Sequence, residues 1–284
     1  MTQLQAIELA TQRLAADAHL RDMARRDAEL LMMHAASLSR AQLIAYPERE
    51  LTPRQSVDFE AAIVRRLRHE PVQYITGTQE FFGLPFAVSN AVLIPRPETE
   101  HLVEAVLERM PRDRAVTIAD IGTGSGAIAV ALVANLPLAQ VTALDLSPDA
   151  LRVAEANATT NHLADRIRFL LSDRLTALQP HERTGQFDAI VSNPPYVPSA
   201  DADTLHPQVR EHEPSLALYA GADGLELYRL IIPEARQALK PGGLLALEMG
   251  YGQRDSLAGL LSEWHDVTFV DDLQGVPRVA LARS

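Results

Sequence analysis

The chain of 284 residues carries a net charge of −11, with 47% hydrophobic and 22% charged residues, and it contains no cysteine. This composition is that of a folded globular protein, and the lack of cysteine excludes disulfides, cysteine-ligated zinc, iron–sulfur clusters and thiol catalysis. The negative charge argues against tight non-specific binding to nucleic acid, because that affinity comes mainly from neutralising phosphates.

Residues 1–70 carry apolar residues at helical spacing, which predicts a small bundle of about four helices. One helix is expected to begin at Thr52-Pro53, with the threonine as cap and the proline in the first turn. We expect Val57, Ala61, Val64 and Leu67 to lie on one face of this helix. The arginines of this domain are expected on a solvated face, a set that comprises Arg25, Arg26, Arg65, Arg66 and Arg68.

Residues 71–100 are interpreted as a hairpin and a linker, and residues 101–284 as a catalytic domain. The turn Gly-Leu-Pro within 79–89 lies between β-prone flanks and favours a hairpin. A proline-containing connection at 94–100 then leads into a helix at 101–110. Strands are predicted at 116–121, 141–146, 166–171, 188–193 and 244–249, with a final pair near 266–271 and 277–283, and helices at 125–134, 148–161 and 225–239. This alternation predicts an α/β fold with a mostly parallel sheet covered by helices on both faces.

A glycine-rich loop follows the first strand of this sheet and runs through Gly122, Thr123, Gly124, Ser125 and Gly126. Glycines between a strand and a helix let the backbone turn sharply and let a ligand approach closely. Asp145 ends the next strand and can accept two ribose hydroxyls; its alternative role is that of a helix cap. The pattern indicates a nucleoside, but it also fits a dinucleotide such as NAD.

The strand at 188–193 ends in Asn193-Pro194-Pro195-Tyr196. The two prolines make the backbone rigid, and the carboxyl ends of strands are where open α/β sheets bind ligands. The Asn193 side chain and the Pro194 carbonyl offer two acceptors, and Tyr196 offers an aromatic face. This set suits a planar NH₂ group.

The glycine loop, the acid and Asn-Pro-Pro-Tyr, in this order, resemble class I S-adenosylmethionine-dependent methyltransferases. Residues 79–100, 120–132, 193–198 and 213–225 narrow the resemblance to the PrmC/HemK family, the N(5)-glutamine methyltransferases of class-I peptide chain release factors. The resemblance implies a Rossmann-like fold, S-adenosylmethionine as cofactor with S-adenosylhomocysteine as product, and the glutamine of a Gly-Gly-Gln motif as substrate. It also implies that the helical domain docks the protein substrate.

By the same resemblance, Asn193, Pro194 and Tyr196 are catalytic, and these three with Pro195 bind the substrate. Asn193 is also assigned to the cofactor site. Arg96, Glu98 and Thr99, with Glu213, would shape the substrate entrance. Asp173 would bind the adenine amino group, whereas Arg174 replaces an aromatic residue that the family usually carries, so it would stack by its guanidinium or lose the contact. The reaction would need no titrating base, so turnover is expected to vary little between about pH 6.5 and 9.

Other functions remain open at this point. A ribosomal-protein glutamine methyltransferase carries a different linker sequence, and an adenine or guanine amino methyltransferase shares Asn-Pro-Pro-Tyr but conflicts with the acidic charge. A non-enzymatic adaptor conflicts with the complete set of motifs. No apolar run reaches the ~18 residues of a membrane span. We expect a cytoplasmic monomer without stable nucleic-acid binding or membrane association. We also expect no metal site, because His101, His206 and His212 are scattered along the chain.

Overall fold

A computed structural model describes residues 1–284, and the chain divides into two compact units. Unit 1 contains Met1–Thr78 and Thr204–Glu213. Unit 2 contains Gln79–Asp203 and Pro214–Ser284. No helix in either unit combines the length and apolar character needed to cross a membrane.

Unit 1 is a bundle of short helices. They are α1 (Gln3–Ala15), α2 (Ala24–Ala36), α3 (Arg40–Ala45), α4 (Pro53–Arg66) and α5 (Val72–Thr76), and the later segment adds α9 (Pro207–His212). The expected start of α4 is confirmed, since the Thr52 side chain accepts a hydrogen bond from the Gln55 amide. On the expected apolar face of α4, Val57 and Val64 are exposed and Leu67 packs against the core, whereas Phe59 and Ile63 lie in the core.

A buried ion pair lies inside this bundle. The Arg66 guanidinium donates to the Asp27 carboxylate at 2.7 Å, and both side chains are almost fully shielded from solvent. Arg66 also donates to the Glu70 carbonyl and to the Gln208 side chain. The expectation that Arg66 is solvated is therefore wrong, because three acceptors satisfy its charge and protons within the core.

The segment Thr204–Glu213 belongs to unit 1, although it falls within the stretch that we assigned to the catalytic domain. His206 bonds the His19 carbonyl at 3.0 Å, and His212 bonds the Arg68 carbonyl at 2.9 Å. The rings of His19, His69 and His206 lie 5.4–6.5 Å apart, edge to face. His206 is therefore distant from the other two histidines in the sequence but lies close to them in the structure.

Unit 2 begins with a two-stranded hairpin of β1 (Thr78–Phe81) and β2 (Leu84–Ala87) at the expected place. Helix α6 (Pro97–Leu107) begins four residues earlier than expected. Proline fits the first turn of a helix because its fixed φ is already helical, and the acids Glu98 and Glu100 complement the positive end of the helix dipole. Thr99 therefore lies in a helical turn and is buried.

The main sheet has seven strands in the order β5-β4-β3-β6-β7-β9-β8. The strands are β3 (Val116–Ile121), β4 (Ala139–Asp145), β5 (Ile167–Leu171), β6 (Phe187–Ser192), β7 (Leu239–Glu248), β8 (His265–Asp271) and β9 (Pro277–Arg283). The first five strands of this order pair in parallel, whereas β9 runs antiparallel to both β7 and β8. The expected fold class is confirmed.

Helices cover both faces of the sheet and complete two hydrophobic cores. They are α7 (Ala127–Asn135), α8 (Pro148–Thr160), α10 (Glu226–Ala238) and α11 (Arg254–Leu260). One core contains α6 and α7, and the other contains α10 and the Trp264 side chain. The strand β7 begins at Leu239, five residues before the predicted start at 244, and its pairing with β6 is irregular there.

Candidate active site

A cavity of about 250 Å³ lies in unit 2, at the carboxyl ends of β3, β4 and β6. This is the edge at which parallel α/β sheets bind ligands. Twelve of the predicted site residues line it: Arg96, Thr99, Gly122, Thr123, Gly124, Ser125, Asp145, Asp173, Arg174, Asn193, Pro194 and Pro195. Four predicted residues do not line it: Glu98, Gly126, Tyr196 and Glu213. Most of the predicted set is thus brought together around one space.

The glycine loop needs glycine for its backbone shape. Gly122, Gly124 and Gly126 all have positive φ values, between 55° and 80°. The amides of Gly122 and Thr123 both donate to the Leu144 carbonyl, at 2.8 and 2.9 Å, which ties the loop to β4. Gly126 begins α7 and faces Ala154, where a Cβ would come within 3.1 Å. Gly126 therefore serves the packing of α7 against α8.

Asp145 joins this loop to the start of α8. Its two carboxylate oxygens accept hydrogen bonds from the Gly124 amide at 2.8 Å and the Ser147 amide at 2.9 Å. The helix cap itself is Ser147, whose side chain accepts from the Ala150 amide. Burial raises the pKa of Asp145, and the backbone hydrogen bonds oppose that rise. Asp145 remains on the cavity wall, where each oxygen has a second lone pair.

Asp120 is a second carboxyl group beneath the loop, and we did not predict its role from the sequence. One oxygen accepts from the Thr123 hydroxyl at 2.6 Å, and the other, Oδ1, is buried without a hydrogen-bond partner. Burial raises the pKa of Asp120 to about 7, and Asp145 adds to this rise. Its position in the last two residues of β3, two residues before the first glycine of the loop, was the available signal in the sequence.

Arg174 lies on the cavity wall, and its guanidinium is held by two carboxylates. Whether its flat face stacks on a ligand stays a prediction. The guanidinium donates to Glu234 at 3.0 Å and to Asp173 at 2.6 Å. The backbone of Arg174 has a positive φ of 52°, which is uncommon for a side chain of this size. Two carboxylates therefore hold Arg174 against α10, while Asp173 stays half exposed beside the cavity.

Asn193 and Pro194 follow the end of β6 and face the cavity. The Asn193 side-chain nitrogen donates to the Thr99 hydroxyl oxygen at 3.2 Å. No donor of the protein reaches the Pro194 carbonyl oxygen. With the amide NH₂ of Asn193 engaged, its carbonyl oxygen and that of Pro194 are the two acceptors that the sequence predicted for a planar NH₂ group.

Tyr196 is held outside the cavity by a glutamine and two glycines. The Gln253 side chain donates to the carbonyls of Tyr196 and Gly224, at 3.1 and 3.2 Å, and accepts from the Gly250 amide at 2.9 Å. A Cβ at Gly224 would lie 2.3 Å from the Tyr196 carbonyl, and one at Gly250 would lie 2.9 Å from the Tyr196 ring. Burial raises the pKa of the Tyr196 hydroxyl, and Glu248 adds to this rise. These contacts fix the position of Tyr196, and its role as an aromatic cover for the substrate stays a prediction.

Glu248, the last residue of β7, lies behind Asn193, and we did not predict its role. Its carboxyl group is buried, and Oε2 has no hydrogen-bond partner. Burial raises the pKa of Glu248 to about 7, while hydrogen bonds to Thr99 and Asn193 lower it. An acidic residue closing an apolar strand was the only sign in the sequence.

The cavity suits a nucleoside that carries a diol and an amino group. Asp145 and Asp173 supply carboxylate acceptors on its wall, the glycine loop supplies close backbone approach, and Leu146 supplies an apolar surface beside Asp145. Hydrogen bonds from hydroxyls to a carboxylate contribute about 1.5–3 kcal/mol each. The residues present therefore fit S-adenosylmethionine, with no cluster of side chains suited to a metal ion in the chain.

Both units of the chain are similar to known proteins. A family model described as the PrmC N-terminal domain matches residues 5–77, and one described as the methyltransferase small domain matches residues 99–211. A release factor glutamine methyltransferase of Koribacter versatilis is 46% identical over 284 residues, 100% of this chain and 99% of the relative. A protein of the same name from Moorella thermoacetica is 47% identical over 99% of this chain and 98% of the relative.

Among solved structures, the 16S rRNA methyltransferase RsmC of T. thermophilus, in complex with AdoMet and guanosine, shares the fold. Its TM-score is 0.53 at 20% identity, over 73% of this chain and 49% of that chain. At this identity the likeness concerns the fold alone.

Proposed function

The chain belongs to the family of release factor glutamine methyltransferases, and from that premise we propose that it transfers a methyl group from S-adenosylmethionine to a release factor. The acceptor is the side-chain amide nitrogen of the glutamine in the Gly-Gly-Gln motif of class-I peptide chain release factors. The observation that carries the proposal is the pair of acceptors at Asn193 and Pro194 on the wall of a nucleoside-sized cavity.

The residues of the chain orient the substrate amide nitrogen toward the methyl group of the cofactor. When bound, S-adenosylmethionine supplies an electrophilic methyl group on a sulfonium centre. The amide nitrogen is a poor nucleophile because its lone pair is delocalised into the carbonyl. The Asn193 Oδ1 and the Pro194 oxygen each accept a hydrogen bond from one N–H of the substrate NH₂. These bonds fix the direction of the nitrogen and stabilise the positive charge that grows on it. Such positioning supplies up to roughly 7–11 kcal/mol, and acceptors aimed at developing charge add to it.

The remaining proton leaves to water. Neither Asn193 nor the Pro194 carbonyl is basic enough to hold it as a free cation, and the acidified nitrogen of the product loses it readily once the methyl group is attached. Asp145, Asp173 and the glycine loop hold the nucleoside, and Tyr196 acts indirectly by fixing the Asn-Pro-Pro turn through Gln253.

We also propose that residues 1–70 dock the protein substrate. Exposed apolar side chains on the helices of unit 1 support this role, since Ile44 and Val57 are 70% and 67% exposed and Tyr46 is half exposed. The acidic charge of −11 disfavours a nucleic-acid substrate. The proposal describes a cytoplasmic enzyme that acts as a monomer and forms no stable complex with nucleic acid or membrane.

The test is methyl transfer from isotope-labelled S-adenosylmethionine to three purified acceptors: a class-I release factor, ribosomal protein and total RNA. We expect label in the release factor, and mass spectrometry should locate it on the glutamine of Gly-Gly-Gln. A release factor with that glutamine replaced by glutamate is the matched control and should stay unlabelled. Label in ribosomal protein or RNA, with none in the release factor, would contradict the proposal.

A further inference from the structure

Three polar groups from three separate elements meet in the interior behind the substrate acceptors. Thr99 comes from the first turn of α6, Asn193 follows β6, and Glu248 ends β7; Thr99 and Glu248 are almost fully buried. The parallel register pairs Ser192 with Leu247, so Asn193 and Glu248 are the next residues of adjacent strands. The geometry of the sheet therefore fixes the meeting of the asparagine and the carboxyl group.

A buried carboxyl group at this position lowers the stability of the fold. A buried polar group without a hydrogen-bond partner destabilises the fold, and it does so more strongly when it is charged. Glu248 Oε2 has no hydrogen-bond partner, whereas the Thr99 and Asn193 side chains interact with the carboxyl group and lower its pKa. An unsatisfied acceptor next to a binding site calls for a role in that site.

The role of Glu248 follows from the hydrogen-bond donors and acceptors around Thr99. The Thr99 hydroxyl has one proton to donate, and its interaction with Glu248 favours the ionised carboxyl, which only accepts. With that proton directed at Glu248, the Thr99 oxygen can only accept from Asn193, as it does at 3.2 Å. The amide of Asn193 must then turn its NH₂ inward and its Oδ1 toward the cavity.

We propose that Glu248 is a positioning residue that acts through Thr99 to set the amide orientation of Asn193, so that an acceptor and not a donor faces the substrate nitrogen. This inference rests on the proposed function for its substrate, but its geometry belongs to the free protein. An asparagine amide has two ends of nearly equal size, so packing alone distinguishes them poorly, whereas the direction of hydrogen bonds distinguishes them well.

The charge state of Glu248 controls the direction of these hydrogen bonds. Burial raises the pKa of Glu248 to about 7, Glu98 on α6 adds to the rise, and Arg278 on β9 lowers it. The hydroxyls of Tyr196 and Tyr228 also face this region, and burial raises the pKa of each, so both stay neutral. Protonation at low pH gives Glu248 a donor, which competes for the Thr99 oxygen and releases the Asn193 amide.

The experiment combines turnover with a measurement on the free protein. We expect Thr99→Val to reduce kcat about 10- to 100-fold, as loss of a preorganised contact does, while the Kd of S-adenosylmethionine changes by less than about twofold. Thr99→Ser keeps the hydroxyl and should restore most of kcat. Thr159→Val, the same substitution at an exposed position of α8, is the matched control and should leave kcat unchanged.

The pH dependence separates positioning from packing. Wild-type kcat should fall as the pH drops through about 7, whereas Glu248→Gln, which does not titrate, should have a flat profile over the same range. In the free protein, infrared difference spectra between wild type and Glu248→Gln should show a carboxyl band that titrates near pH 7. Thr99→Val should raise that midpoint, because it removes a donor to the carboxylate.

Two results would overturn the inference: a Thr99→Val variant with wild-type kcat, or one whose Glu248 carboxyl titrates at the wild-type midpoint. Failure of the proposed function looks different. The wild type would then bind S-adenosylmethionine but leave the release factor unlabelled, while the infrared midpoint still reports on the hydrogen bond between Thr99 and Glu248.

Discussion

Replacing Asp145 tests whether its carboxylate binds the cofactor or only shapes the glycine loop. In Asp145→Asn the side chain keeps one oxygen and its size, but an NH₂ group now faces either the Gly124 amide or the Ser147 amide, which are both donors. The variant also loses the charge that a ribose hydroxyl would bond. One hydrogen bond to a charged group contributes about 1.5–3 kcal/mol, so we expect the Kd of S-adenosylmethionine to rise about 10- to 100-fold.

The assay is isothermal titration calorimetry, with the thermal midpoint of the free protein as a second readout. Asp149→Asn is the matched control, since it removes the same charge from an exposed acid on α8 that pairs with Arg152. The control should leave the Kd within about twofold, as surface pairs contribute little. If Asp145→Asn binds S-adenosylmethionine as tightly as the wild type does, its carboxylate only closes the turn and the ribose assignment is refuted.

Three other perturbations test the site and the fold. Asn193→Ala should lower kcat by about 10²-fold, as loss of one preorganised acceptor does, with cofactor Kd unchanged by calorimetry; unchanged kcat would remove Asn193 from the mechanism. Asp188 is subject to burial, which raises its pKa, but hydrogen bonds led by that from Lys240 outweigh burial and lower the pKa to about 2. Asp188 therefore stabilises the fold above its unfolded pKa of 3.8, and this contribution is lost as the pH falls toward about 2. Urea unfolding should show that Asp188→Asn is less stable than the wild type at neutral pH and equal to it near pH 2. Asp27→Ala should destabilise the protein by about 3–5 kcal/mol in urea, because it leaves Arg66 buried and unpaired; a smaller loss would mean that the Glu70 and Gln208 acceptors suffice.

The alternation of strands and helices could be read from the sequence because each parallel strand is a short apolar run between polar turns. The strand at 116–121 was predicted to the residue, and the order of elements followed. Boundaries failed where two signals compete. Pro97 was interpreted as a connection, yet proline also favours the first turn of a helix, and the acids that follow it supply the helix start.

The buried face of α4 could not be chosen from the period alone. Val57 and Val64 recur at helical spacing, and so do Phe59 and Ile63 with Arg66. A reading by polarity rejects the second face because it carries a guanidinium. The structure buries that face nevertheless, since Asp27 on α2 satisfies the charge. A partner 39 residues away along the chain leaves no local mark in the sequence.

Some residues of the candidate site could also be predicted from the sequence, whereas Glu248 could not. The glycine loop, Asp145 and Asn193 lie in short motifs at the ends of strands, so their roles could be predicted from the sequence. The fold brings them to one cavity. Glu248 closes an apolar strand, where a single acid is usually taken for the solvated end. Its neighbour across the sheet is set by the register between β6 and β7, which the sequence does not state.

That register changes the expected chemistry as well as the geometry. A site without a titrating group near Asn193 predicts a flat pH profile around neutrality, which was our expectation from the motifs. The proposed role of Glu248, whose pKa burial raises to about 7, predicts instead a rate that falls in acid, although no base takes part in the reaction. The hydrogen-bonded pair of Thr99 and Asn193, which are 94 residues apart, transmits the charge of Glu248 to the substrate as a choice between the two ends of one amide.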